Sequence, residues 1–189
     1  MKEGCQTTTT TCPLGHGSGG ELNNDNNTSP NRITSSIPQK DKVGNWVYPS
    51  PQMFYNAMTK KGHNPDPFEM ELLVNIHNVV NEKCWRYVLE WEKRFHKDEC
   101  PEGPKLIRFR GRPEDLSPRA WIRHYIMGYA KPFDRHDWII DRCGKEVRYV
   151  LDFYGAQSDT TPMAIHLDVR PALDTPTAIW DRIKKFVGV

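Results

Sequence analysis

The sequence predicts an α+β fold: helices packed on a small antiparallel β-meander, with a disordered N-terminal tail. Three observations predict it. Residues 72–95 carry one long apolar stripe at the period of a helix. Residues 137–142 and 145–154 alternate at period two around Cys143-Gly144, and residues 163–170 repeat the alternation. Residues 1–42 are rich in Thr, Asn, Gly, Ser and Pro and hold hardly an apolar side chain, too few to offset chain entropy. With 189 residues the chain is long enough for that tail and one domain, placed here over 43–189.

Order is expected to begin at Asn45-Trp46-Val47-Tyr48-Pro49-Ser50-Pro51, an extended entry. Residues 51–61 read as a short helix with Pro51 in its first turn and Gly62 as its stop. Asn64-Pro65-Asp66-Pro67 leads into the long helix, whose stripe is Leu73, Ile76, Val80, Cys84, Tyr87, Val88, Trp91 and Phe95. Cys100-Pro101-Glu102-Gly103-Pro104 breaks the chain, and Leu106–Arg110 alternates as a short strand. Ser117 caps a third helix with Pro118 at its first position, running to about Met127. The three period-two runs form the meander, and a closing helix from Thr175 turns Ala178, Ile179, Ile183 and Phe186 inward.

Composition excludes several classes. A net charge of +2 and a pI near 8.2 demand neither nucleic acid nor an anionic membrane as partner. No apolar run approaches the roughly 20 residues of a transmembrane helix, so a soluble or peripherally attached protein is expected. Residues 1–17 resemble neither a secretory signal nor an ordinary mitochondrial presequence. The five cysteines (Cys5, Cys12, Cys84, Cys100, Cys143) include no C-x-x-C pair. That argues against a disulfide scaffold and a four-thiolate zinc site. Cys100 and Cys143 receive no role.

His77 falls on the edge of the long helix's stripe, where an imidazole can enter an apolar crevice with one ring nitrogen free to bind a metal. Pattern alone favours a core histidine hydrogen-bonded to a neighbour. Asn78 or Asn81 could hold its second nitrogen. Glu82, about 140° round the helix, should pack elsewhere. His136 reads either as a base held by carboxylate neighbours or as a turn histidine bonded to Asp134 or Asp137. A metal site from Asp134, His136 and Asp137 is weak, because adjacent strand residues point to opposite faces. Cys84 reads better as a small buried hydrophobe than as a thiolate. His166 is expected to pair with an acid.

Together Cys12-Pro13, residues 46–58 (WVYPSPQMFYNAM), Ile76-His77-Asn78 with Glu82 and Trp85, residues 132–138 (PFDRHDW) and residues 167–174 (LDVRPALD) resemble the holocytochrome c synthase, or cytochrome c haem lyase, family. The likeness covers 43–187 in order, making 43–189 a haem lyase domain by resemblance. It departs at Pro51 and at Ala130-Lys131, where relatives carry other residues.

The resemblance implies an enzyme that joins haem to the C-x-x-C-H motif of apocytochrome c or c1 by thioether bonds. It implies the mitochondrial intermembrane space, peripheral to the inner membrane, with no nucleic acid. His77 is then the axial ligand of the haem iron and His136 a second catalytic histidine. Asn81, Cys84, Trp85, Arg135 and Arg142 join His77 as expected haem-binding residues; Arg108 and Arg110 are further candidates for the propionates, although arginines on a sheet are more often surface pairs. Cys12-Pro13 matches a weak thiolate haem motif. A haem chaperone or sensor that binds through His77 and joins nothing is the alternative, and a scaffold protein a second.

Overall fold

The computed structural model describes residues 28–156 and 164–188. Its elements are β1 (Thr34–Pro38), β2 (Asn45–Val47), α1 (Pro51–Lys60), α2 (Met70–Phe95), β3 (Lys105–Gly111), α3 (Pro118–Tyr125), β4 (Asp134–Arg142), β5 (Lys145–Ala156), β6 (Ala164–Pro171) and α4 (Pro176–Val187). The α+β class is as predicted. One antiparallel sheet runs β3-β4-β5-β6, so the meander has four strands rather than three, with β3 an edge strand on β4. A second small sheet pairs β1 with β2.

Three helices start as their sequences dictate. Ser50, Ser117 and Thr175 each accept a backbone N–H with the side-chain oxygen, and each is followed by Pro at the first helical position. The β4–β5 turn places Cys143 (φ 45°) and Gly144 (φ 95°) in the left-handed region, as a two-residue hairpin requires.

The main core lies between α2 and one face of the four-stranded sheet. Cys84, Trp85 and Val88 of α2 meet Leu106, Trp138, Ile140, Tyr149, Leu151 and Phe153. A smaller apolar cluster joins Phe54 of α1 to Met70 and Val74 at the start of α2. The buried side of α2 is turned by about 75° from the predicted stripe. Asn78, Asn81 and Glu92 are buried, whereas Ile76 and Val80 are only partly so. Polar side chains with partners on other elements bury as well as apolar ones, and periodicity of apolar residues cannot register them.

Three further expectations are corrected. The tail does not extend to residue 42, since β1 is a formed strand; residues 1–27, with Cys5 and Cys12-Pro13, lie outside the described residues. β1 is fastened by polar bonds: Glu82 Oε1 accepts from Ser35 Oγ (2.6 Å), Tyr48 OH (2.9 Å) and Ser36 N (3.1 Å). Cys100 and Cys143, given no role, form a disulfide with Cα atoms 5.4 Å apart, tying the segment after α2 to the β4–β5 turn. In α4 the inward residues are Ala178 and Asp181, while Ile179, Ile183 and Phe186 are exposed. A buried polar contact sets that orientation, His96 Nε2 on Asp181 Oδ2 at 2.7 Å.

Candidate functional site

On α2 His77 lies toward one edge of the inward side, as it does on the predicted stripe. It is half-buried at the seam between the two apolar clusters, three residues after Val74 and seven before Cys84. The Phe54 ring of α1 lies 5.1 Å from its own, tilted by 44°. Burial lowers its pKa below the ordinary 6.5, and the neighbouring His136 lowers it further, with Asp134 opposing. The neutral imidazole, the form with a free lone pair, is therefore favoured at neutral pH.

His136 reaches the same region from β4. Along that strand Asp134, His136, Trp138, Ile140 and Arg142 alternate onto the side facing α2. His136 is buried, its Nε2 is 3.0 Å from Asp134 Oδ2, and its ring stands edge-on to Phe153 at 5.1 Å. The two histidines singled out in the sequence, more than fifty positions apart, thus come within electrostatic range of each other. Asp137 lies on the opposite face with Arg135 (3.0 Å) and Arg148 (2.7 Å). No three-carboxylate-or-histidine metal cluster exists among the described residues, which removes the Asp134–His136–Asp137 alternative.

Most of the residues expected to line a haem slot are buried or paired within the fold. Cys84 is fully buried in the core, and burial pushes its thiol up to about 12, so it is not a thiolate. Trp85 is 3% exposed and packs against Trp138 at 6.4 Å. Arg135 is buried and holds Asp137 with two nitrogens. Arg142 grips Glu92 of α2 at 2.6 and 2.7 Å, with Tyr149 OH donating to the same carboxylate. Neither guanidinium is available to a propionate. Arg108 and Arg110 are exposed, the former 3.9 Å from Glu146. Asn81 and Asn78 are buried, but among the described residues neither hydrogen-bonds the His77 ring, and the Asn78 Nδ2 has no partner. His166 is exposed beside the Tyr154 ring rather than against an acid.

An open cleft of about 360 Å³ runs along the neighbouring flank of α2, bordered by Ile76, Val79, Val80 and Lys83 of α2 and Ile165 and Leu167 of β6. Its apolar walls and single cation were hidden from sequence reading because β6 supplies one side. No helix among the described residues is long and apolar enough to cross a membrane.

Known proteins agree with the residue pattern. The family described as Cytochrome c/c1 heme lyase matches residues 21–186. The Holocytochrome c-type synthase of Homo sapiens is 52% identical over 159 residues, covering 81% of this chain and 59% of that protein. That of Gallus gallus is 51% identical over 159 residues, covering 81% and 58%. The Holocytochrome-c synthase of Saccharomyces cerevisiae is 45% identical over 180 residues, covering 82% and 66%. The chain thus spans just under three fifths of the length of these vertebrate relatives. No solved structure matches it. With the family pattern matched over nearly all the described residues, the chain belongs to the cytochrome c/c1 heme lyase family.

Proposed function

We propose that this chain is a lyase that takes haem as substrate, holds its iron on His77, and joins it to the C-x-x-C-H motif of apocytochrome c or c1. The setting that goes with this reading is the mitochondrial intermembrane space, peripheral to the inner membrane. One observation carries it: His77 is a half-buried imidazole with a lowered pKa toward the edge of α2's inward side, against the Phe54 ring and with His136 nearby. Iron held in a flat apolar porphyrin asks for such a group, and a protonated histidine could not serve.

The chemistry is addition of a thiol across a vinyl group. A sulfur–carbon bond forms, the thiol proton ends on the other vinyl carbon, and nothing is oxidised or expelled. The nucleophile is the thiolate, so a base near the substrate cysteine helps. We assign that role to His136, whose Nε2 lies 3.0 Å from Asp134 Oδ2. The chain needs no covalent nucleophile of its own, which agrees with Cys84 lying closed off as a thiol. Holding haem and peptide together is the larger contribution, on the order of 7–11 kcal/mol for well-oriented groups.

Co-expression of the chain with apocytochrome c tests the reading. Acid-resistant haem on the cytochrome is the expected result. Haem bound to the chain with none transferred would replace the lyase by a haem chaperone. His136→Ala is expected to keep bound haem and lose transfer; unchanged transfer would leave His136 a structural residue.

A further inference from the structure

We propose that the knob formed by α3 and the turn after it is the face on which this chain seats against an anionic lipid bilayer. Residues 117–133 (SPRAWIRHYIMGYAKPF) contain Arg119, Arg123 and Lys131 and no Asp or Glu, although the chain as a whole is nearly neutral. Ala120 is the buried residue of α3. Trp121, Tyr125, Ile126, Met127, Tyr129 and Phe133 are each between 50% and 69% exposed. Single exposed apolar residues are ordinary, but six large ones within thirteen positions are not.

The knob is built rather than loose. Gly128, at φ 74°, turns the chain back so that Tyr129 N donates to Arg123 O (3.0 Å) and His124 Nδ1 donates to Tyr129 O (2.8 Å). The Arg123 guanidinium then lies 4.9 Å from the Tyr129 ring centre, and Lys131 Nζ 6.0 Å from that of Tyr125. The Ser117 cap is anchored to the sheet by Asp152 (2.6 Å) and Arg170 (2.7 Å). Arg119 and Arg123 meet Asp168 of β6 at 3.3 and 3.8 Å, so Lys131 is the segment's cation outside those ion pairs. Rings with an apolar body and a polar tip, on a segment that carries cations and no carboxylate of its own, complement the headgroup layer of an anionic leaflet.

The exposed stripe of α4 lacks this match. Its Lys184 and Lys185 turn inward over Phe95 (5.2 Å) and Trp91 (3.9 Å). Phe133 immediately precedes Asp134, so the knob adjoins the histidine site, and seating it would bring that site close to the lipid. The proposal rests on the peripheral attachment in the reading above, for which it names the face and the lipid chemistry.

Co-sedimentation of the full chain with vesicles of phosphatidylcholine, alone or mixed with phosphatidylglycerol, tests it. Wild type should bind the mixed vesicles, bind the neutral ones far less, and be released by salt. Trp121→Ser/Tyr125→Ser/Ile126→Ser, its fold checked by near-UV circular dichroism, and Lys131→Glu should each weaken binding about tenfold. Trp180→Ser/Phe186→Ser in α4 should not. Wild-type binding by both knob variants would overturn the face while leaving attachment standing, and loss of binding in the α4 variant instead would move it. Equal binding to neutral vesicles would overturn the anionic preference. No binding by wild type would overturn face and attachment together, while covalent haem transfer would still decide the lyase reading. Should the triple variant misfold, Lys131→Glu decides.

Discussion

Arg142→Leu separates a structural arginine from a haem-binding one. The guanidinium donates to both oxygens of Glu92, at 2.6 and 2.7 Å, and Tyr149 OH donates to the same carboxylate. Both charged side chains are 5% exposed. Removing the cation leaves a buried carboxylate with one phenol for company, and breaking a buried pair in this way costs about 3–5 kcal/mol. That is a large share of the 5–15 kcal/mol that typically holds a domain together. Adding Glu92→Leu should recover most of the loss, because two apolar side chains can replace a buried pair at little cost. Urea unfolding of wild type, both single variants and the double variant, followed by tryptophan fluorescence, gives the coupling energy. The reasoning fails if Arg142→Leu unfolds at the wild-type midpoint yet loses haem affinity. That outcome would make Arg142 a propionate clamp after all.

Two further perturbations address the parts that sequence reading missed. Burial alone would raise the Glu82 pKa, but the bonds from Ser35, Ser36 and Tyr48 outweigh it and hold the group below its ordinary 4.5. The stability these bonds contribute is complete above that value and is lost as pH falls through the lower folded one. Glu82→Gln should therefore cost about 1 kcal/mol at neutral pH, the low end for a partly exposed group, and flatten the acid limb of the stability profile; an unchanged acid limb would refute the assignment. Replacing Cys100 and Cys143 by Ser releases a loop of 43 residues' separation. Unfolding free energy should drop by about 2–4 kcal/mol, with non-reducing peptide mapping joining the two cysteines in wild type.

Capping and period carried most of what the sequence could tell. Pro51 and the Ser117-Pro118 pair marked two helix starts because such signals need only their neighbours. The β4–β5 hairpin was legible for the same local reason, a two-residue turn flanked by alternation. Long-range partners were not legible. Glu92 looks like a solvated face until Arg142 is brought to it from fifty residues away, and Ser35 and Ser36 look like tail until Glu82 accepts from them. Family resemblance supplied His77 and His136, and folding brings them into range of each other. It could not reveal that Cys84, Trp85, Arg135 and Arg142 are consumed by packing and ion pairing.

The iron ligand is tested most directly by the visible spectrum of the purified chain, wild type beside His77→Ala. Wild type should carry haem with the Soret band of a histidine-ligated iron, and the variant, folded by circular dichroism, should carry none and transfer none. Haem retained by the folded variant at the wild-type level, with an unshifted Soret band, would contradict the assignment of the iron to His77.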